Sequence, residues 1–419
     1  MPRSFDSNCT LPPEGTNFVS SPALRGTTDI VWSCTSVILI CTWSILHLNV
    51  PQQSTPSNKL QAFRRSIQRF VRKLKWFLFN LAAPEWPLGK AWANHVSVKS
   101  MEAKFAAIAK KDGIPWSRAH SNFANMGGFV IKFGMKNDLT NDPNIWVVDA
   151  SQLLLARELG IIDRLPTVLQ DDLDDRNKGD IVVKILAVGQ IGWFVIQLCV
   201  RFAARLATSQ LEILTLAYAL CTVITYFLLR DTPKDCQFSL SVPAVRHPSP
   251  SELFRVALLG PMPYMLLIRD HFWIPDSYVH ADHTMPMKGN LFAVTVGSIV
   301  AVFLLGCVHC IAWDFVFPTD IERTFWQASS IMTAAAIPVG FLLGLVHTVV
   351  LRATRIDQQL YRRISSVIFS YSCVLLGVLF FVSRIFIVVE ALRSLAFLPP
   401  NVYATTWSVN IPHIRDGQS

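Results

Sequence analysis

Charge is what this 419-residue chain has least of. Asp, Glu, Lys and Arg make up 16% of it, against roughly 25% in soluble domains. Hydrophobic residues supply 51%, and the mean hydropathy is +0.37. That balance excludes an ordinary water-soluble domain and points to an integral membrane protein. No RNA- or DNA-binding motif accompanies the net charge of +9, so nucleic acid is not an expected partner. The basic residues gather in loops, where they suit membrane orientation and anionic headgroups. A signal peptide is also missing from the expectation, because the first apolar run starts too late and is too long.

Other absences narrow the chemistry. Cys307 and Cys310 form a CxxC pair, but no second pair joins them, and structural zinc needs four ligands. The run Asp171-Asp172-Leu173-Asp174-Asp175 has the carboxylates to hold magnesium against a diphosphate. No second acidic motif completes such a site, and charge runs are usually solvated turns. His280 and His283, with Asp270, His271 and Asp276 nearby, lack a recognisable ligand spacing. No metal and no organic cofactor is therefore expected. Segments 181–229 and 328–389 show no internal repeat of the kind that marks many transporters.

What is present is a set of long apolar stretches, which predicts an all-α fold, a polytopic membrane bundle of about six transmembrane helices. Residues 1–27 read as a polar, disordered tail carrying the glycosylation sequon Asn8-Cys9-Thr10. Residues 28–50 hold the first span, Ile30 to Val50. Residues 51–180 form a long cytosolic interfacial region. It opens with Phe63, Ile67, Phe70, Leu74 and Leu78 interleaved with Arg64, Arg65, Arg69, Arg72, Lys73 and Lys75. That spacing describes an amphipathic helix lying on a membrane. Residues 181–390 hold five further spans: Ile181–Ala203, Leu211–Leu229, Asn290–Trp313, Ala328–Leu351 and Ser365–Val389. Residues 391–419 are the second tail. The stretch 253–268 is apolar but broken by Pro261 and Pro263, and reads as a re-entrant or interfacial piece. A seventh span there would put the 314–327 and 351–364 loops on the wrong sides. Six spans with both termini lumenal satisfy the charge rule and leave Asn8 open to glycosylation, in the endoplasmic reticulum or another endomembrane.

That topology brings most intramembrane ionisable residues to one leaflet. Arg201, Glu212, His309, Asp314 and Arg384 would line a cavity there, or would form ion pairs such as Arg201 with Glu212 that lock helices together. Trp193, Phe194, Trp313 and Phe315 are aromatic walls for such a cavity or, equally, interface anchors. His347 suggests an acyltransferase histidine, but beside Gly340 and Gly344 it also suits a bond to a neighbouring helix.

Four strings, residues 25–51, 178–220, 309–323 (HCIAWDFVFPTDIER) and 392–414, resemble a large family of fungal multi-span integral membrane proteins. Family members tend to carry Asn or Ser where this chain has Asp314. The resemblance implies a membrane-bound terpene cyclase of secondary metabolism, an isomerase protonating an epoxidised prenyl chain of a terpenoid or meroterpenoid. Asp314 is then the first candidate acid, with Glu212 and His309 as further catalytic candidates. Arg201, Trp313, Arg384 and Trp193 are the substrate-binding candidates. A carboxyl buried in apolar surroundings stays protonated, and aromatic faces stabilise a carbocation. The partners implied are a lipophilic prenylated substrate, membrane lipids and other enzymes of the pathway. The alternative is a non-catalytic transporter or scaffold for a lipophilic metabolite.

Overall fold

The computed structural model describes residues 11–20, 24–53, 58–133, 145–168, 178–263, 273–279, 289–353 and 359–406. Asn8, the Asp171–Asp175 run, Asp270, His271, His280 and His283 lie outside them. The chain is mostly helical and divides into two compact units. One comprises residues 1–41, 186–221 and 299–419, the other residues 42–185 and 222–298.

The first unit holds long apolar helices. Five helical stretches are long and apolar enough to cross a membrane: Ile185–Ala203, Gln210–Leu228, Phe292–Ala312, Asp320–Val350 and Arg363–Phe397. They belong to α6 (Lys178–Ala203), α7 (Gln210–Leu228), α9 (Gly289–His309), α10 (Asp320–Ala353) and α11 (Gln359–Arg393). The expected first span falls short of that set. Helix α1 runs only from Thr27 to Ser44, and its Asp29, four threonines and three serines dilute the apolar content. Residues 45–50 continue without helix.

Helix α11 leaves most of its apolar surface uncovered by the rest of the protein. Only 11% of its apolar window is buried within the protein. Val374, Leu375, Val378, Phe381, Val382 and Ile385 stand exposed around it. Soluble proteins do not display apolar surface on that scale. Helices α10 and α11 pack together, with the His347 ring stacked on Phe369 at 4.8 Å. Helix α9 meets α10 at Gly306. A Cβ there would sit 2.4 Å from Ala334 Cβ and 2.7 Å from its backbone nitrogen, so only glycine permits the close crossing.

The second unit is not purely helical. Helices α2 (Lys59–Ala82), α3 (Glu85–Asp112), α4 (Arg118–Asn125) and α5 (Ala150–Glu158) accompany strands β1 (Phe129–Lys132), β2 (Ile145–Val148) and β3 (Leu240–Pro243). The sheet order is β2-β1-β3. Strands β1 and β2 are antiparallel, with Phe129 opposite Val148. Strands β1 and β3 are parallel, with Phe129 opposite Leu240. An all-α fold is thus corrected by a small sheet. Its strands are only four residues long, too short to leave a period-two pattern to read.

A hydrophobic core built on Phe105, Phe123, Phe129, Leu153, Ile162 and Leu165 joins α3, α4, α5 and the sheet. Burying each such side chain contributes about 1.5–3 kcal/mol. Helix α3 ends at Gly113, whose φ of +69° and N–H bond to the Ala109 carbonyl make the left-handed cap that glycine favours. Asp112 beside it receives the Arg157 guanidinium at 2.6 and 2.9 Å and the Leu165 N–H at 2.9 Å. The expected re-entrant stretch begins as α8 (Pro250–Leu259), opened by a Ser249–Glu252 capping box. Its Val256 is buried in this core, and Gln152 of α5 donates to the Val256 carbonyl. Two short strands, β4 (Met262–Pro263) and β5 (Tyr278–Val279), pair antiparallel.

Candidate functional site

A cleft in the second unit collects the polar side chains that hydropathy hides. It is lined by Ile45–Asn49, Trp76, Asn80, Trp86, Lys90, Asn94, Asn125, Met126, Thr232 and Asp276, among others, and encloses about 60 Å³. Helix α2 supplies Trp76 and Asn80, and α3 supplies Trp86, Lys90 and Asn94.

Asn49 is the hub. Its side-chain amide donates to the Ile274 carbonyl at 3.1 Å and the Pro275 carbonyl at 3.0 Å. Its backbone N–H donates to Asp276 Oδ1 at 2.8 Å, and its carbonyl accepts from Arg72 Nη2 at 2.8 Å. Arg72 also donates to both Asp276 oxygens, each at 2.6 Å. Its guanidinium lies 5.8 Å from the Trp273 ring centre. A bidentate arginine–carboxylate pair is the strong form of such contacts, and here it clasps residues 273–276 to α2. Lys90 Nζ donates to the Asp276 backbone carbonyl at 2.6 Å. Burial, reinforced by the Arg72 charge and opposed by Asp276, lowers the Lys90 ammonium to about 8.

The asparagines build the floor. Asn94 donates to Asn122, Asn125 donates to Asn94, and both bonds measure 2.7 Å. Asn122 in turn donates to the Asp231 carbonyl, and Asn125 accepts from the Ala150 N–H. Buried amides satisfied in this way fix one arrangement of α3, α4 and α5.

In the first unit, the residues singled out from sequence have largely structural partners. Glu212 sits three residues after Ser209, and the two form a capping box. Ser209 N and Oγ both lie 2.9 Å from Glu212 Oε2, and the Glu212 N–H reaches Ser209 Oγ at 3.3 Å. Ser and Glu at that spacing close the orphan donors of a helix start. The other Glu212 oxygen takes Arg25 at 2.6 Å. Arg201 therefore is not the partner of Glu212. Its guanidinium donates instead to the carbonyls of Ala207, Asn401, Val402 and Ala404 at 2.6–3.2 Å. It pins the C-terminal segment to α6.

Asp314 lies in the opposite environment from a buried acid. Its side chain is 82% exposed, and it pairs with Arg323 at 2.5 Å. Trp313 is more than a third exposed, and its carbonyl accepts from Arg323 and Gln327. His309 is fully buried. Its Nδ1 bonds the Leu305 carbonyl one turn back, and its own carbonyl accepts from Trp326 Nε1 at 3.1 Å. Arg384 is buried and Trp193 partly so. Among the described residues, Glu390 Oε1, His309 Nε2, Thr333 Oγ1 and Tyr403 Oη are buried without a hydrogen-bond partner.

Reading the sequence missed Asn49, Lys90, Asn80 and Thr232, and placed Asp276 beside a metal idea. One signal was available: Lys90 interrupts the run Trp86-Pro87-Leu88-Gly89-Lys90-Ala91-Trp92, a lone cation amid apolar and aromatic neighbours.

Comparison with known proteins gives one assignment. No curated protein and no solved structure matches. A family model described as a family of unknown function, DUF8562, matches residues 5–246 and 290–414. The match covers Asn49, Arg72, Asn80, Lys90 and Thr232 of the cleft and passes over 247–289, the stretch that supplies Asp276. With most of its length matched, the chain belongs to the DUF8562 family.

Proposed function

We propose that this is a multi-span membrane protein that binds an amphipathic small molecule drawn from the bilayer. Its head lodges in the cleft of the second unit and its apolar part stays in lipid. The observation that carries this reading is the double use of α2. Phe63, Ile67, Phe70, Leu74 and Leu78 form an exposed apolar stripe along it, at the spacing of one helical face. Arg64, Arg65, Arg69, Lys73 and Lys75 accompany that stripe. Such a helix rests in the headgroup layer of an anionic membrane. The same helix turns Trp76 and Asn80 into the cleft, so a molecule in the leaflet has the cleft within reach. The five apolar stretches support membrane residence, and the endomembrane location with lumenal termini remains part of the proposal. The function is then carriage or presentation of a lipophilic metabolite.

A second reading, acid-initiated cyclisation of a prenyl chain, is favoured by one observation in the first unit. The Glu390 carboxyl is 2% exposed, with Oε1 unpartnered among the described residues. Its other oxygen lies 4.0 Å from the Arg393 guanidinium, and the carboxyl is enclosed where Asp314 is exposed. Metabolite profiling of a host lacking the gene beside one expressing it separates the readings. A carrier alters the distribution of an amphiphile between cell and medium. A cyclase consumes a linear precursor and makes an isomer of it, and Glu390→Gln abolishes that product.

A further inference from the structure

Most polar groups of the cleft are already consumed by one another. Arg72 and Asp276 satisfy each other, and Asn94 and Asn125 belong to the amide ladder. The Lys90 ammonium, the Asn80 amide and the Thr232 hydroxyl face the space, as does the His47 ring. Thr232 is 4% exposed, and its Oγ1 has no hydrogen-bond partner among the described residues. A buried hydroxyl left unpaired costs free energy that a ligand would recover. The charge count points the same way. Among the described cleft residues, Arg72 and Lys90 bring two positive charges to the single carboxylate of Asp276, which Arg72 takes bidentately while Lys90 bonds its backbone carbonyl, so one positive charge is in excess. An unpaired charge in such surroundings is costly until a counter-charge arrives.

We propose that Lys90, Thr232 and Asn80 form a binding site for a single oxyanion, the phosphate or carboxylate head of the amphiphile. Lys90 supplies the charge and up to two further N–H donors. Thr232 and Asn80 supply neutral donors. Trp76 and Trp86 wall the entry and favour an apolar stem next to the head. Arg72 is a positioning residue: it holds Asp276, and with it the carbonyl that orients Lys90. This inference rests on the amphiphile reading for the origin of the anion, but the oxyanion site itself does not.

The test uses the full chain in a maltoside detergent, with Trp fluorescence as readout because two indoles line the cleft. Four probes are titrated: dioctanoyl phosphatidic acid, decanoate, inorganic phosphate and decanol. The expected result is saturable binding of the two anionic amphiphiles, weakened about tenfold or more in Lys90→Met, since a charge-assisted hydrogen bond is lost. Thr232→Val, nearly isosteric, is expected to weaken them several-fold and guards against a Lys90 variant that fails to fold. Binding in the wild type should fade as pH rises through about 8, where Lys90 loses its proton; Arg72, Asp276 and His47 are the other ionisable groups around it. Binding of inorganic phosphate without either amphiphile supports the oxyanion site and retires the membrane source of its ligand. Decanol binding as tightly as decanoate, indifferent to both substitutions, overturns the oxyanion site while leaving the amphiphile reading intact.

Discussion

Arg72 grips Asp276 through two hydrogen bonds of 2.6 Å, Nε to Oδ2 and Nη2 to Oδ1. The pair joins a helix with an exposed apolar face to a segment 204 residues away in sequence. Asp276→Asn leaves Arg72 without its counter-ion in a partly buried place. We expect a loss of about 2–3 kcal/mol, the scale of hydrogen bonds to charged groups. A change in thermal unfolding of the purified protein measures it. The Lys90 carbonyl contact would loosen with it, so anion binding should weaken although Asp276 itself repels anions.

Asp112 predicts acid sensitivity. The hydrogen bond from Arg157, with help from the Leu165 N–H, holds its carboxyl below the usual carboxylate range. A carboxyl depressed on folding contributes stability above its unfolded value, near 3.9. That contribution is lost as pH falls through the lower, folded value. Asp112→Asn should destabilise the second unit by about 1–3 kcal/mol at neutral pH and flatten the acid limb of the stability profile. An unchanged limb would show that Asp112 does not carry it.

Glu212 and Arg25 predict a structural role for two charges in the first unit. Ser209→Ala should cost about 0.5–2 kcal/mol, the value of a lost helix cap. Arg25→Met and Glu212→Gln should be strongly non-additive in a double-mutant cycle, as contacting residues are. Additive effects would mean the 2.6 Å pair contributes little.

Asp314→Asn is expected to change stability by less than about 0.5 kcal/mol, because exposed ion pairs contribute little. It should also leave ligand binding and any product unchanged. Loss of product with normal accumulation of the variant would return Asp314 to the centre of a cyclase mechanism.

Helix α2 predicts which side chains touch lipid. Cysteines at Phe70 and Leu74, in a background lacking the exposed Cys199 and Cys307, carry a fluorophore that brominated lipid should quench. A label at Arg69 should be quenched less. Equal quenching at all three positions would contradict an in-plane helix with one apolar face.

The legible and illegible parts of the chain divide by the range of the interaction. The Phe63–Leu78 stripe and the long apolar stretches are local patterns, and both stand in the structure. Glu212 is likewise explained by a residue three positions away. The sheet is different, because β1 and β3 are four residues each and pair across more than a hundred residues. Periodicity carries no information about such a partner. The cleft is harder still. Asn49, Arg72, Lys90 and Asp276 come from four separate stretches, and each alone reads as a loop or a basic helix face. Asp314 misled for the converse reason: it ends an apolar run, but the following turn carries it out to Arg323.

The most direct test of the central claim is native mass spectrometry of small molecules retained by the purified protein. Wild type, Lys90→Met and Thr232→Val would be prepared from the same host. The account predicts one amphiphile with an acidic head, retained near one per chain by the wild type and depleted in both variants. Retention of the same bulk lipids by all three proteins, with no enriched species, would contradict it.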